Sequence, residues 1–167
     1  MITVEHCQLM ARYNRWMNGK LYACCDGVDD AERKRDRGAF FGSIHATLDH
    51  ILYGDLAFMS RFTGDPPEAP ELGVTQYEDF GELRRVREAL DARIEDWAAT
   101  VTDGWLREIL TFVSKVDGAE KTYPHWVLVT HMFNHETHHR GQVTTLLSQM
   151  GIDIGTTDIT FMPPPQA

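Results

Sequence analysis

The sequence predicts an all-α protein: a four-helix bundle with long crossover connections and a small β-hairpin before the last helix. Three observations lead there. Four stretches of about 20 residues carry apolar residues at three- and four-residue steps, the period of a helix with one buried face. Only one pair of short β-prone runs interrupts them, around Asp117-Gly118. The chain has 167 residues, 43% of them hydrophobic and 25% charged, enough for one domain over residues 1–167 with its own core.

The first helix is expected from Val4 to Cys25, where Leu9, Tyr13, Trp16, Met17 and Leu21 recur on one face. A polar stretch from Asp26 to Gly38 ends it. The second is expected from Phe41 to Phe62, with Ser43 as an alternative cap, and Gly64-Asp65-Pro66-Pro67 stops it. Residues 66–76 read as a loop rich in proline and acid. The third helix spans Phe80 to Thr100 and presents Leu83, Val86, Leu90, Ile94 and Trp97. Leu110–Val113 and Glu120–Tyr123 flank the hairpin turn. The fourth helix begins at His125, after Pro124, and runs to Met150, with Gly151 as its stop. The tail, ending in Pro163-Pro164-Pro165, reads as extended.

Composition narrows the function. Sixteen basic against 25 acidic residues give a net charge of −9, which repels phosphate backbones, so no nucleic-acid partner is expected. The only basic run, from Arg33 to Arg37, is diluted by Glu32 and Asp36. No apolar run reaches the roughly 18 residues that span a bilayer, and no basic-then-apolar leader opens the chain. Cys7, Cys24 and Cys25 are odd in number, with two adjacent, and form no disulfide framework; reduced thiols and a cytoplasmic location are expected.

Histidine is the unusual feature. Four of the eight fall between residues 131 and 139. With about 100° per residue, His135 and His139 turn into the apolar stripe of the last helix, with His131 at its border and His138 outside it. Imidazoles at i and i+4 are neighbours and can offer neutral nitrogens to one divalent metal ion. Buried side by side without a shared partner, they would leave polar nitrogens unsatisfied at a cost of roughly 1–3 kcal/mol each. A further ligand is required, and His6, His45, His50, His125 and the acids remain open. His50 shares its face with the small residues Thr47, Gly54 and Ala57, which leave room for an ion; His45 lies nearer the large apolar side. The segment His135-Glu136-Thr137-His138-His139 also matches H-E-x-x-H, the zinc-protease helix motif. Downstream of it there is no His and no Glu, and Glu136 does not point between the two histidines, so the protease reading is set aside.

The segment Phe133-Asn134-His135-Glu136-Thr137-His138-His139-Arg140-Gly141-Gln142 resembles the signature of the DinB/YfiT-like metalloenzyme superfamily. Tyr13–Asn18 resembles that family's first helix, and Ser43–Leu52 with Asp55 and Arg61–Gly64 its second. The resemblance implies a bundle that binds one nickel or zinc ion through His50, His135 and His139, and a homodimer. It also implies thiol-dependent S-transferase or isomerase chemistry on a small-molecule substrate, with a low-molecular-weight thiol as cosubstrate. No catalytic residue is assigned: Glu136 and Asp55 are acids near the motifs, and Arg140 and Gln142 follow them. Metal-assisted hydrolysis is the neighbouring chemistry. A non-catalytic metal- or small-molecule-binding module for stress response is the alternative of a different class.

Overall fold

The computed structural model describes residues 1–65 and 73–164. Helix α1 covers Val4–Asp26, and its first turn is closed by Thr3, whose hydroxyl accepts from the His6 amide at 3.2 Å. Helix α2 is a short turn, Asp30–Lys34, inside the first connection. Helix α3 runs over Ile44–Thr63. Ser43 rather than Phe41 starts it, because the Ser43 hydroxyl accepts from the Ala46 amide at 3.1 Å. Gly64 ends it with φ of +76°, a left-handed cap that glycine adopts without strain. Helix α4 is Phe80–Thr100, capped by Asp79. Helix α5, Asp103–Arg107, precedes strands β1 (Ile109–Val113) and β2 (Glu120–Pro124). Helix α6, His125–Gln149, follows β2 directly. The described part of the tail, residues 152–164, has no regular element except one 3-10 turn at Ile159–Phe161. The proline-rich part of the expected loop, residues 66–72, and the last three residues lie outside the described residues.

The four long helices form a ring in the order α1, α4, α3, α6, each packed on its two neighbours. Helices that follow each other along the chain, α1 and α3, therefore lie across the diagonal, as do α4 and α6. Diagonal partners need long connections. Residues 27–43 make one; α5 and the antiparallel hairpin make the other. In the hairpin Thr111 faces Thr122, with hydroxyls 2.9 Å apart, and the turn residue Gly118 takes φ of +67°. The apolar faces read from the sequence meet inside the ring, where Leu21, Ile44, Leu48, Met59, Leu83, Ile94 and Met132 are fully or almost fully buried. Among the described residues no helix is long and apolar enough to cross a membrane. All three cysteines are free thiols.

One part of the core is polar, and periodicity did not reveal it. Arg87 of α4 is completely enclosed and reaches Asp55 of α3 at 2.5 Å and Asp91 at 2.8 Å. On the α6 side Arg140 pairs with Glu136 and with Asn14 of α1. Asn14 donates to Glu136 at 2.6 Å, and Asn18 donates to Asp91 at 3.0 Å. Burial first, and then the Asp55 carboxylate, push the Glu136 carboxyl well above its usual range, against the pull of Arg140 and Arg87. Burial works against the Arg87 charge, but Asp91, Asp55 and Glu136 outweigh it and hold the group protonated. This network ties all four long helices together one residue away from His135.

Candidate metal centre

The α3–α6 seam brings His50, His135 and His139 together. One ring nitrogen from each lies within 4.8 Å of the others. His50 Nε2 and His135 Nε2 are 3.1 Å apart, and the His135 and His139 ring centres are 4.4 Å apart. The i, i+4 spacing on α6 supplies two rings on one face, and the neighbouring helix supplies the third. Two nitrogens 3.1 Å apart suit adjacent ligands of one ion whose bonds are about 2.0–2.1 Å long. The donor set is all imidazole, which suits zinc or nickel.

The surroundings keep the rings neutral. Burial pushes His50 down to about 4, with His139 adding to it. Burial, then His139 and His50, push His135 down to about 3, and burial also lowers His139. His139 Nδ1–H donates to Gln142 Oε1 at 2.8 Å, which leaves its Nε2 with the lone pair. Because the unfolded rings titrate near 6.5, the unfolded chain binds more protons between about pH 3 and 6.5. These rings therefore favour the metal-free fold above that window and weaken it as pH falls through it. The same shifts predict that loading the folded protein with an ion at pH 6 displaces fewer protons from the three rings than rings of ordinary basicity would release. Calorimetry in buffers of different ionisation heat measures this; release of about two protons would mean rings of ordinary basicity.

Two neighbours shape the centre. Gly54, one turn after His50, lets the His135 ring lie on the α3 backbone: a Cβ there would stand 2.9 Å from His135 Cε1 and 3.3 Å from its Nδ1. The sequence expectation that small residues beside His50 leave room for an ion is thus refined. Gly54 and Ala57 line the cavity, whereas Thr47 is buried and donates its hydroxyl to the Ser43 carbonyl. Gly54→Ala should keep the fold, since alanine favours helix by roughly 0.5–1 kcal/mol, yet weaken metal binding about tenfold or more by displacing His135. Competition against a chromophoric chelator reads this, and an affinity equal to wild type would contradict it. The second neighbour, Phe41, was expected inside the helix. It stands instead in the tight turn Ala39–Gly42 and stacks on the His50 ring at 3.8 Å, with its edge toward His139. Capping by Ser43 frees it to do so.

The other histidines go elsewhere. His45 is buried and its Nε2–H donates to the Tyr77 carbonyl at 2.7 Å. His125 stacks on Trp105, and His6 is exposed. His131 lines the cavity beside Phe58. His138 is exposed and approaches the Gln142 amide at 3.4 Å. Glu136 points away from the three rings into the buried network, so the H-E-x-x-H match does not place a carboxylate at the centre. Arg140 belongs to that network as well, whereas Gln142 supports His139.

The DinB family model matches residues 1–166. The chain belongs to the DinB family. A curated relative, Protein DinB of Bacillus subtilis (strain 168), is 24% identical over 155 residues, covering 87% of each chain. The DinB-family bundle thus carries its three-histidine cluster at the α3–α6 seam, with the rings opening into a cavity of about 890 Å³. Phe41, Tyr53, Phe58, Phe112 and Leu128 form much of its wall.

Proposed function

We propose that this DinB-family protein is a metal-dependent enzyme that acts on a small molecule, with His50, His135 and His139 holding one divalent zinc or nickel ion. The observation that carries the reading is the convergence of three neutral imidazoles at the side of a largely apolar cavity. Three protein ligands leave a position for substrate or water. When bound, the ion would supply Lewis acidity there, lowering the pKa of a thiol or water to near neutrality. The chain's own groups do the rest. Gln142 fixes the His139 tautomer, Gly54 seats His135, and Phe41 covers His50 and excludes water. The aromatic wall holds an apolar substrate beside the rings. Thiol-dependent S-transfer with a low-molecular-weight thiol is the chemistry favoured, with hydrolysis next to it. The acidic surface argues against a nucleic-acid partner. The free cysteines suit a reducing cytoplasm, and a homodimer is the proposed assembly.

Metal-loaded protein mixed with cysteine and a panel of aryl halides, epoxides and thioesters tests this. Metal-dependent thiol consumption, lost in His139→Ala, is the expected result. Stoichiometric metal with no turnover of any pair would favour the non-catalytic metal-binding stress-response module.

A further inference from the structure

The charge of the cavity is the reverse of the charge of the chain. The protein carries −9, yet among the described residues the wall includes no Asp or Glu and three cations, Arg61, Lys115 and Lys121. Lys121 is held by Asp117 at 2.8 Å. Arg61 is placed differently. It sits in the last turn of α3, half-buried, with its guanidinium 5.1 Å from the Phe58 ring centre and 4.4 Å from that of Phe112 on β1. Two rings therefore pack around the group. Its N–H donors make no hydrogen bond or ion pair among the described residues. A half-buried guanidinium resting on aromatic faces keeps its in-plane donors for a partner, and a carboxylate matches that fork with two parallel bonds. Phe58 also packs on His131 at 5.1 Å, and His131 lies 6.0 Å from His135. Arg61 thus stands at one end of a continuous aromatic path whose other end is the three-histidine cluster.

We propose that Arg61 is the anion-recognising residue of this cavity, and that the substrate is a small organic carboxylate whose apolar body lies along the aromatic wall with its reacting end at the three imidazoles. The placement of the reacting end rests on the function proposed above; the anion subsite does not. A positive wall in an acidic protein also draws anions toward the cavity and turns neutral analogues into poorer ligands. The charge-assisted hydrogen bonds that only the carboxylate makes give the discrimination its size, because hydrogen bonds to charged groups are the strong ones.

Calorimetric titration of 4-phenylbutyrate against 4-phenylbutan-1-ol, with metal-free and with zinc-loaded protein, tests the subsite. The carboxylate should bind about tenfold or more tightly than the alcohol in both forms. In Arg61→Met that preference should fall to within about twofold while the alcohol's affinity stays unchanged, and Arg61→Lys should restore part of it. Circular dichroism confirms that each variant is folded, and Arg61→Gln replaces Arg61→Met if the latter is not. Equal binding of the two compounds to wild type, no saturable binding of either, or a preference that survives Arg61→Met overturns the proposal. A preference seen only with zinc and insensitive to Arg61 also overturns it, since the carboxylate then goes to the ion. The metal-free arm keeps this outcome separate from a failure of the metal assignment.

Discussion

His135→Ala should lose stoichiometric metal while the bundle stays folded. The His135 ring approaches His50 at 3.1 Å and lies against Gly54, so its removal takes away one of three donors and opens the seam where it lay. Disturbing a group that only supports a ligand costs about 10–100-fold in affinity; deleting the ligand itself should exceed the upper figure. His139→Ala should behave alike. His138→Ala is the control: that side chain is exposed, and metal content should stay near wild type. Elemental analysis of tag-free protein gives the answer. Full metal content in either His135→Ala or His139→Ala would remove the assignment. Because a ligand that binds only the folded state stabilises it by mass action, chelation should lower the melting temperature of wild type and leave that of His135→Ala almost unmoved.

The second large effect is on stability. Arg87→Met should cost about 3–5 kcal/mol, on the order of 10 °C in melting temperature for a chain of this size. The reason is what remains rather than what is lost. Asp55 and Asp91, both almost fully enclosed, would stand without the cation that compensates them. Burial already raises Asp91, and Arg87 is the principal group opposing that rise. Adding Asp55→Asn to Arg87→Met should recover part of the loss, since it withdraws a stranded charge. Urea denaturation of the three proteins measures it; a single variant within about 1 kcal/mol of wild type would show that the pair carries no such weight.

The helices were legible because each carries both its period and its punctuation. Ser43, Gly64 and Gly151, read as boundary signals, lie within a residue or two of the helix ends they mark, and the caps Thr3 and Asp79 emerge only in the structure. The rings of His135 and His139 were legible for the same reason, since a single helix fixes their relative angle. His50 was not decided by its own helix: its large apolar residues face elsewhere, and the choice over His45 came from resemblance. The structure accounts for the difference, since His45 spends Nε2 on a carbonyl in the stretch before α4. The polar core escaped because Arg87 and Asp91 alternate with Leu83, Leu90 and Ile94 on one face, and a hydrophobic count treats charged residues as surface. Phe41 escaped because a one-turn error in the helix start changes a wall residue into a helix residue. Arg61 entered the sequence reading only as part of the Arg61–Gly64 segment that resembles the family's second helix; its setting depends on Phe112, 51 positions away and on a strand.

The β-hairpin contributes no imidazole and no member of the buried charge network, yet it supplies Phe112, Val116 and Tyr123 to the cavity. The hairpin therefore shapes the cavity wall, while the three imidazoles stand on α3 and α6. Exchanging the residues of that arm should change which small molecules the cavity binds while leaving the metal affinity of the three imidazoles near wild type.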